Sequence, residues 1–327
     1  MAFSFPARTP GASSGVARAV AARVPLVFDR IIPDCLYCII AHGAILAAME
    51  LNARAESFRR LHDRPGIFVV PNPWDAGSAK LLESLGFEAL ATTSAGYAFS
   101  LARPDAAAAI DRDGTLANAR AIVDATSLPV SADLENGFGD DPQSCADTIR
   151  MAATAGLVGG SIEDATGRPA DPIYPFALAV ERVAAAVAAA RALPFPFVLT
   201  ARAENLITGR PDLDDTMRRL EAFAAAGADV LYAPGLTTRD AISSVVRAVA
   251  PKPVNVVMGL SGTTFSLAEL RDLGVKRVSL GSSLARAAFG AMLRASREVR
   301  DAGTFTFSRE AMPYSELNTL FERTRKR

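Results

Sequence analysis

Ile67-Phe-Val-Val-Pro71-Asn-Pro-Trp-Asp75 is the stretch on which the fold turns. A short β-rich apolar run breaks off into prolines where an open doubly wound sheet would carry its glycine-rich phosphate turn after strand one. Working outward, seven further runs of this kind follow: Ala89–Thr93, Val130–Asp133, Gly160–Ile162, Phe197–Ala201, Val230–Tyr232, Val254–Val257 and Arg277–Ser279. Between them lie segments with apolar residues at helical spacing: Ala76–Leu85, Gly114–Ala125, Pro142–Ala155, Ala177–Ala192, Asp214–Ala226, Thr238–Val249 and Ser266–Leu273. Several end in a glycine just before the next strand, as in Leu85-Gly86-Phe87, where a left-handed residue caps the helix and returns the chain. Strict alternation demands a parallel sheet, and eight strand–helix units are the number that closes a barrel. The expected fold is α/β, a (β/α)8 TIM-type barrel. Ser283–Ala302 and Met312–Thr324 read as helices beyond the eighth strand that cover a barrel edge or pack on a neighbouring subunit.

Composition bounds the function. The 327 residues could form two domains of about 150, but an α/β barrel takes about 250 as one. Thirty-five Lys plus Arg balance thirty-five Asp plus Glu, which argues against a nucleic-acid or anionic-membrane partner. Three cysteines are too few for a disulfide scaffold and suit a reducing, cytoplasmic setting. With two histidines, His42 and His62, the chain excludes Ser-His-Asp hydrolases and His-rich zinc enzymes.

Residues 1–53 read as a leader, disordered, processed or non-native, and residues 54–327 as the barrel with its C-terminal helices. The apolar run 35–49 is shorter than the about 20 residues of a spanning helix. Met49 resembles a start, and the acid-poor residues 1–48 leave organellar targeting open. Cys35, Cys38 and His42 have a redox or metal spacing but no second ligand pair, so they read as inert.

Barrel enzymes carry their chemistry at the C-terminal ends of the strands. Strand three ends in Asp133-Leu-Glu135, strand four in Glu163-Asp164, and strand five in Arg202-Ala-Glu204. Strand two ends in Thr93-Ser94-Ala95-Gly96, with Asp105 in the loop beyond. Asp133 and Glu135, two apart, face the same way if the strand persists. Carboxylates on adjacent strand ends, with no His or Cys near, form a hard-oxygen set suited to Mg2+ or Mn2+. Arg202 can fork onto a substrate carboxylate or an enolate oxygen. Asp164 reads as a structural cap or pair, and Glu204 is open between the two roles.

Asn72-Pro-Trp-Asp75-Ala-Gly-Ser-Ala79, Thr93-Ser-Ala-Gly96, Asp133-Leu-Glu-Asn-Gly-Phe-Gly139, Ile162-Glu-Asp164 and Ala201-Arg202 resemble, in order and spacing, the isocitrate lyase/phosphoenolpyruvate mutase superfamily. The resemblance runs from Arg54 to about Gly303. It implies a barrel whose last helix swaps between subunits of a homo-oligomer (dimer or tetramer), a Mg2+ site, and small carboxylic acid substrates. By position, Asp133 resembles the direct metal ligand, and Asp105, Glu135 and Glu163 the carboxylates that hold water around the metal. Ser94, with the N–H groups of Ala95 and Gly96, resembles the substrate carboxylate cradle. Arg202 resembles the arginine on substrate oxygens, and Glu163 joins it as a candidate catalytic group.

Two departures narrow the reaction. The chain lacks the Lys-Lys-Cys-Gly-His type sequence whose cysteine works as an acid in isocitrate and methylisocitrate lyases, and Cys145 reads as structural. After the strand-four acid, Ala165–Tyr174 offers Arg168 and Tyr174 instead of the mutases' Lys and Asn. The expected activity is a Mg2+-dependent C–C lyase or decarboxylase acting on a small 2-oxo or 2-hydroxy acid through a metal-stabilised enolate. The alternatives are P–C bond chemistry like that of the mutases and phosphonopyruvate hydrolases, and a non-catalytic ligand-binding member.

Overall fold

A computed structural model describes residues 36–105, 110–260 and 264–323. The first element, α1 (Leu36–Asp63), runs unbroken across the 53/54 boundary, and backbone contacts divide the chain between Ile45 and Leu46. The side chains of Cys35, Cys38 and His42 lie outside the described residues.

From there the chain alternates as expected. β1 (Phe68–Val70), α2 (Ala76–Ser84), β2 (Leu90–Ala91), α3 (Ser94–Ser100), α4 (Arg112–Ala125), β3 (Val130–Asp133), α5 (Pro142–Thr154) and β4 (Gly159–Glu163) form the first half. A two-stranded antiparallel hairpin, β5 (Ala165–Arg168) and β6 (Asp171–Ile173), then interrupts the rhythm. The sequence had this segment as a loop, because its Gly and Pro residues carry no strand alternation. The second half comprises α6 (Phe176–Arg191), β7 (Val198–Arg202), α7 (Leu213–Ala225), β8 (Val230–Tyr232), α8 (Arg239–Ala248), β9 (Val254–Val257), α9 (Leu267–Asp272) and β10 (Arg277–Ser279). Two helices follow, α10 (Ser283–Ala302) and α11 (Tyr314–Arg323).

The eight long-range strands pair in parallel in the order β1-β10-β9-β8-β7-β4-β3-β2. This is a (β/α)8 barrel, nearly closed, with its seam between β1 and β2. Ala91 N donates across the seam to Pro71 O at 3.1 Å. Asn72 fastens the same place: its Nδ2 donates to Thr92 O, and its Oδ1 accepts from Leu280 N and Gly281 N. One side chain thus ties three strand ends together.

The loops leave the barrel mouth through capped helices. Asp75, Thr93, Asp111, Asp141, Asp212, Thr238 and Ser266 each accept a hydrogen bond from the first turn of the helix they precede. Such a cap contributes about 0.5–2 kcal/mol and fixes the angle at which strand passes into helix. At the other end of the barrel α1 forms a floor. Its Ala55, Phe58 and Leu61 are buried with Phe68, Val70, Ala89, Val158, Val198 and Val230.

Candidate active site

The strand ends converge on one guanidinium. Arg202, the last residue of β7, donates through Nη1 to Asp133 Oδ1 at 2.8 Å and through Nε to Glu204 Oε1 at 2.9 Å. Its Nη2 lies 3.0 Å from Glu163 Oε2, and its Cζ lies 5.2 Å from the centre of the Tyr232 ring. The register explains the meeting: Glu163 and Arg202 are paired residues at the tips of β4 and β7. All of these side chains are nearly buried, Glu204 most of all at 3% exposure.

Asp133 is held from its other side by the loop after β2. Ser94 Oγ donates to Asp133 Oδ2 at 2.9 Å and Ser94 N at 3.4 Å, while Asp133 N donates to Thr92 Oγ1 at 3.0 Å. Gly96 is required there, because a Cβ would come 2.6 Å from Thr93 Cγ2 and 3.2 Å from Trp74 Cβ. Its N–H is already spent on Thr93 Oγ1, the cap of α3, so of the three cradle groups read from the sequence Gly96 N–H is committed elsewhere. A motif cannot reveal that, because the cap and the cradle use the same residues.

Charge is unbalanced in this cluster. Burial pushes the Glu163 carboxyl well above its usual range, against the pull of Arg202, and the charges of Glu204, Asp133 and Glu135 push the same way. Burial likewise raises Glu204. Asp105, at the exposed rim, is raised by desolvation and then by Asp133. Burial works against the Arg202 cation, but Glu163, Glu204 and Asp133 outweigh it and hold the guanidinium charged. These mutual influences bring Asp105, Asp133, Glu135, Glu163 and Arg202 into one electrostatic neighbourhood.

Asp164 stands apart as the structural acid it was read to be. It accepts from Glu204 N at 2.8 Å and pairs with Arg219 at 3.0 Å. Glu204, open from sequence, is a buried partner of Arg202. Tyr232 and Arg182 were missed. Arg182 had a signal, since it falls on the stripe of Ala179, Val183, Ala186 and Ala190 that buries α6.

Cys145, read from sequence as structural, and Tyr174, offered by the segment after the strand-four acid, are both engaged away from the mouth. The Cys145 thiol is buried against Asn136 O, and burial pushes it up to about 11. Tyr174 donates its phenol proton to Asp140 Oδ1 at 2.6 Å, and burial with that bond pushes it up to about 12. Arg168 is also engaged, with both oxygens of Asp140 at 2.9 Å.

Residues 58–300 match the family described as phosphoenolpyruvate phosphomutase. A protein of Burkholderia cenocepacia J2315, assigned provisionally as a lyase or mutase, is 63% identical, with a TM-score of 0.81 over 83% of this chain and 96% of that one. The 2-methylisocitrate lyase of Escherichia coli K12 is 30% identical over 77% of this chain and 84% of its own length. A phosphonopyruvate hydrolase complexed with oxalate and Mg2+ is 26% identical, with a TM-score of 0.74 over 83% of this chain and 96% of that one.

Proposed function

The chain belongs to the phosphoenolpyruvate mutase family, within the superfamily that includes the isocitrate lyases, and is an enzyme of that superfamily. From that premise we propose that it is a Mg2+-dependent lyase that decarboxylates or cleaves a small 2-oxo or 2-hydroxy dicarboxylic acid and leaves an enolate. The observation that carries this reading is the guanidinium of Arg202 gripped by Asp133, Glu163 and Glu204 at the barrel mouth.

The donor set fits the ion. One guanidinium faces three carboxylates, a surplus of negative charge that a divalent cation would offset, and the donors are hard oxygens. Among the described residues no three acids or imidazoles form a ready-made cage. Mg2+ does not need one, because it binds through one or two carboxylates and keeps several waters. Asp133 would hold it directly, with Asp105, Glu135 and Glu163 ordering the surrounding shell. Bound there, the ion supplies Lewis-acid polarisation of a 2-oxo oxygen.

The chain's own groups do the rest. Arg202 presents its fork of donors where an enolate oxygen develops, in a poorly solvated site where such donors count most. The Ala95 N–H remains to hold a substrate carboxylate, and Ser94 Oγ would join it by turning its proton away from Asp133. Glu163, raised by burial, can keep a proton at higher pH than an ordinary carboxyl and pass it on. Cleavage of isocitrate leaves a succinate carbanion that needs a placed acid, and lack of one costs about 10²–10⁴ in rate. With Cys145 and Tyr174 both committed elsewhere, chemistry that leaves a stabilised enolate for solvent to protonate is favoured.

Steady-state turnover tests this: pyruvate from oxaloacetate above the metal-only background, beside glyoxylate from isocitrate and pyruvate from methylisocitrate. Turnover of oxaloacetate or a related small dicarboxylate is expected, with little or none of the other two. Robust isocitrate or methylisocitrate cleavage, unaffected by Cys145→Ser, would overturn the argument from the missing acid.

A further inference from the structure

The turn that carries the candidate metal ligands is held in an unfavourable backbone conformation. Glu135 has φ 47°, Gly137 79° and Phe138 60°, all in the left-handed region. For residues with a Cβ this conformation is disfavoured, and it persists only where the surroundings enforce it.

The enforcement comes from behind the site. Arg182, on the apolar stripe of α6, is 1% exposed. Its Nη1 donates to Gly139 O at 2.7 Å and its Nη2 donates to Asn136 O, so one planar fork spans the turn. The guanidinium also lies 4.0 Å from the centre of the Tyr174 ring. Tyr174 completes the frame by accepting from Asn136 Nδ2 at 3.1 Å and donating to Asp140. Thr148 Oγ1 pins Gly137 O at 2.8 Å.

Among the described residues no carboxylate pairs with Arg182, and its buried Nε has no hydrogen-bond partner. Burying a guanidinium with no carboxylate in hydrogen-bond contact is costly, and Arg182 is the largest of the fully buried side chains among the described residues. The fork onto two carbonyls is what the charge is retained for.

We propose that Arg182 is a positioning residue for the divalent-metal site: it clamps the turn from Asn136 to Gly139 and so holds Asp133 and Glu135 in their metal-binding arrangement. This rests on the metal site proposed above. Groups that hold a ligand-bearing segment from behind in this way are worth about 10–100-fold in metal affinity.

The test is Mn2+ binding to the full chain, by calorimetry and by the electron paramagnetic resonance of free Mn2+, in wild type, Arg182→Ala, Arg182→Lys and Asp133→Ala. Arg182→Ala should bind Mn2+ about 10–100-fold more weakly, and millimolar guanidinium, unlike methylammonium, should restore much of the loss. Arg182→Lys keeps the charge but cannot fork, so it should fall between. Weakened binding that guanidinium does not restore would mean general damage and overturn the inference. If Arg182→Ala does not fold, a folded Arg182→Lys with wild-type Mn2+ affinity overturns it equally. Asp133→Ala separates the two claims. If it binds Mn2+ undiminished, the metal site falls; if it alone loses binding while folded Arg182 variants do not, only the role of Arg182 falls.

Discussion

Arg202 at the tip of β7 and Arg277 at the start of β10 are both buried in the barrel, and their surroundings are opposite. Arg202 has three carboxylates on it. Among the described residues Arg277 has only neutral acceptors: Asn255 Oδ1 at 2.8 Å, Thr200 Oγ1 at 2.9 Å and His62 Nε2 at 3.5 Å. Burial accordingly pulls Arg277 down to about 10, whereas the acids hold Arg202 above its usual value. A single row of paired residues joins them, Arg202–Tyr232–Asn255–Arg277, stepping across four strands from mouth to floor. A cation outnumbered by acids belongs to a site that must bind and release charge. A cation held by amide, hydroxyl and imidazole belongs to the packing, where it fills volume and satisfies polar groups.

The largest expected effect tests that division directly. Arg202→Met should lower turnover by about 10²–10³ or more and destabilise the fold by about 3–5 kcal/mol, since it strands buried carboxylates. Arg277→Met strands only neutral acceptors, at about 1–3 kcal/mol, and should leave turnover near wild type. Steady-state rates and denaturant unfolding of both variants are the measurements, and equal loss of turnover would break the comparison.

Next comes the metal. Asp133→Ala removes both charge and a coordinating oxygen and should sharply weaken Mg2+ binding by calorimetry. Glu135→Gln keeps an oxygen acceptor and should weaken it less. Unchanged affinity in Asp133→Ala would move the metal away from the end of β3.

The floor has its own signature in pH. His62 Nδ1 lies 2.9 Å from Phe58 O, which can only accept, so the ring proton sits on Nδ1 and Nε2 faces Arg277. Burial and then Arg277 lower the imidazole from 6.5 to about 3. The folded state therefore keeps His62 neutral while the unfolded chain takes up a proton. Stability from this group is complete above pH 6.5 and is lost as pH falls from there toward 3. The thermal midpoint of wild type should drop between pH 7 and pH 5 by more than that of His62→Gln, and equal drops would remove His62 from the account.

The smallest effect concerns the leader. A chain starting at Met49 keeps Ala55, Phe58 and Leu61 and should unfold within a few degrees of the full chain. A chain starting at Ile67 loses that floor and should be far less stable. A large loss already at Met49 would mean the earlier residues pack on the barrel.

These contrasts also mark how far the sequence could be read. All eight barrel strands were visible because a buried parallel strand is a compact apolar run bounded by turn residues. Asp133, Glu163 and Arg202 were visible because barrel chemistry sits at strand ends. The floor was not, since Phe58 and His62 lie in a charged helical segment whose inward face only the closed barrel defines. The hairpin at 165–173 was hidden by its Gly and Pro residues. Arg182 belongs to no motif, and only the alanine spacing around it marks it as buried. Glu204 needed a facing direction that two-residue spacing alone could not supply.

Gly159 begins β4 and Glu163 ends it, so heel and tip of one short rod touch floor and mouth. A Cβ at Gly159 would stand 2.8 Å from Phe58 Cε1 and 2.9 Å from Val198 O, with no slack to absorb it. The missing methyl at the heel is a tolerance set for the carboxylate at the tip. Whatever lifts the heel, a heavier residue at 159 or a displaced α1, tilts the lever whose far end grips Arg202.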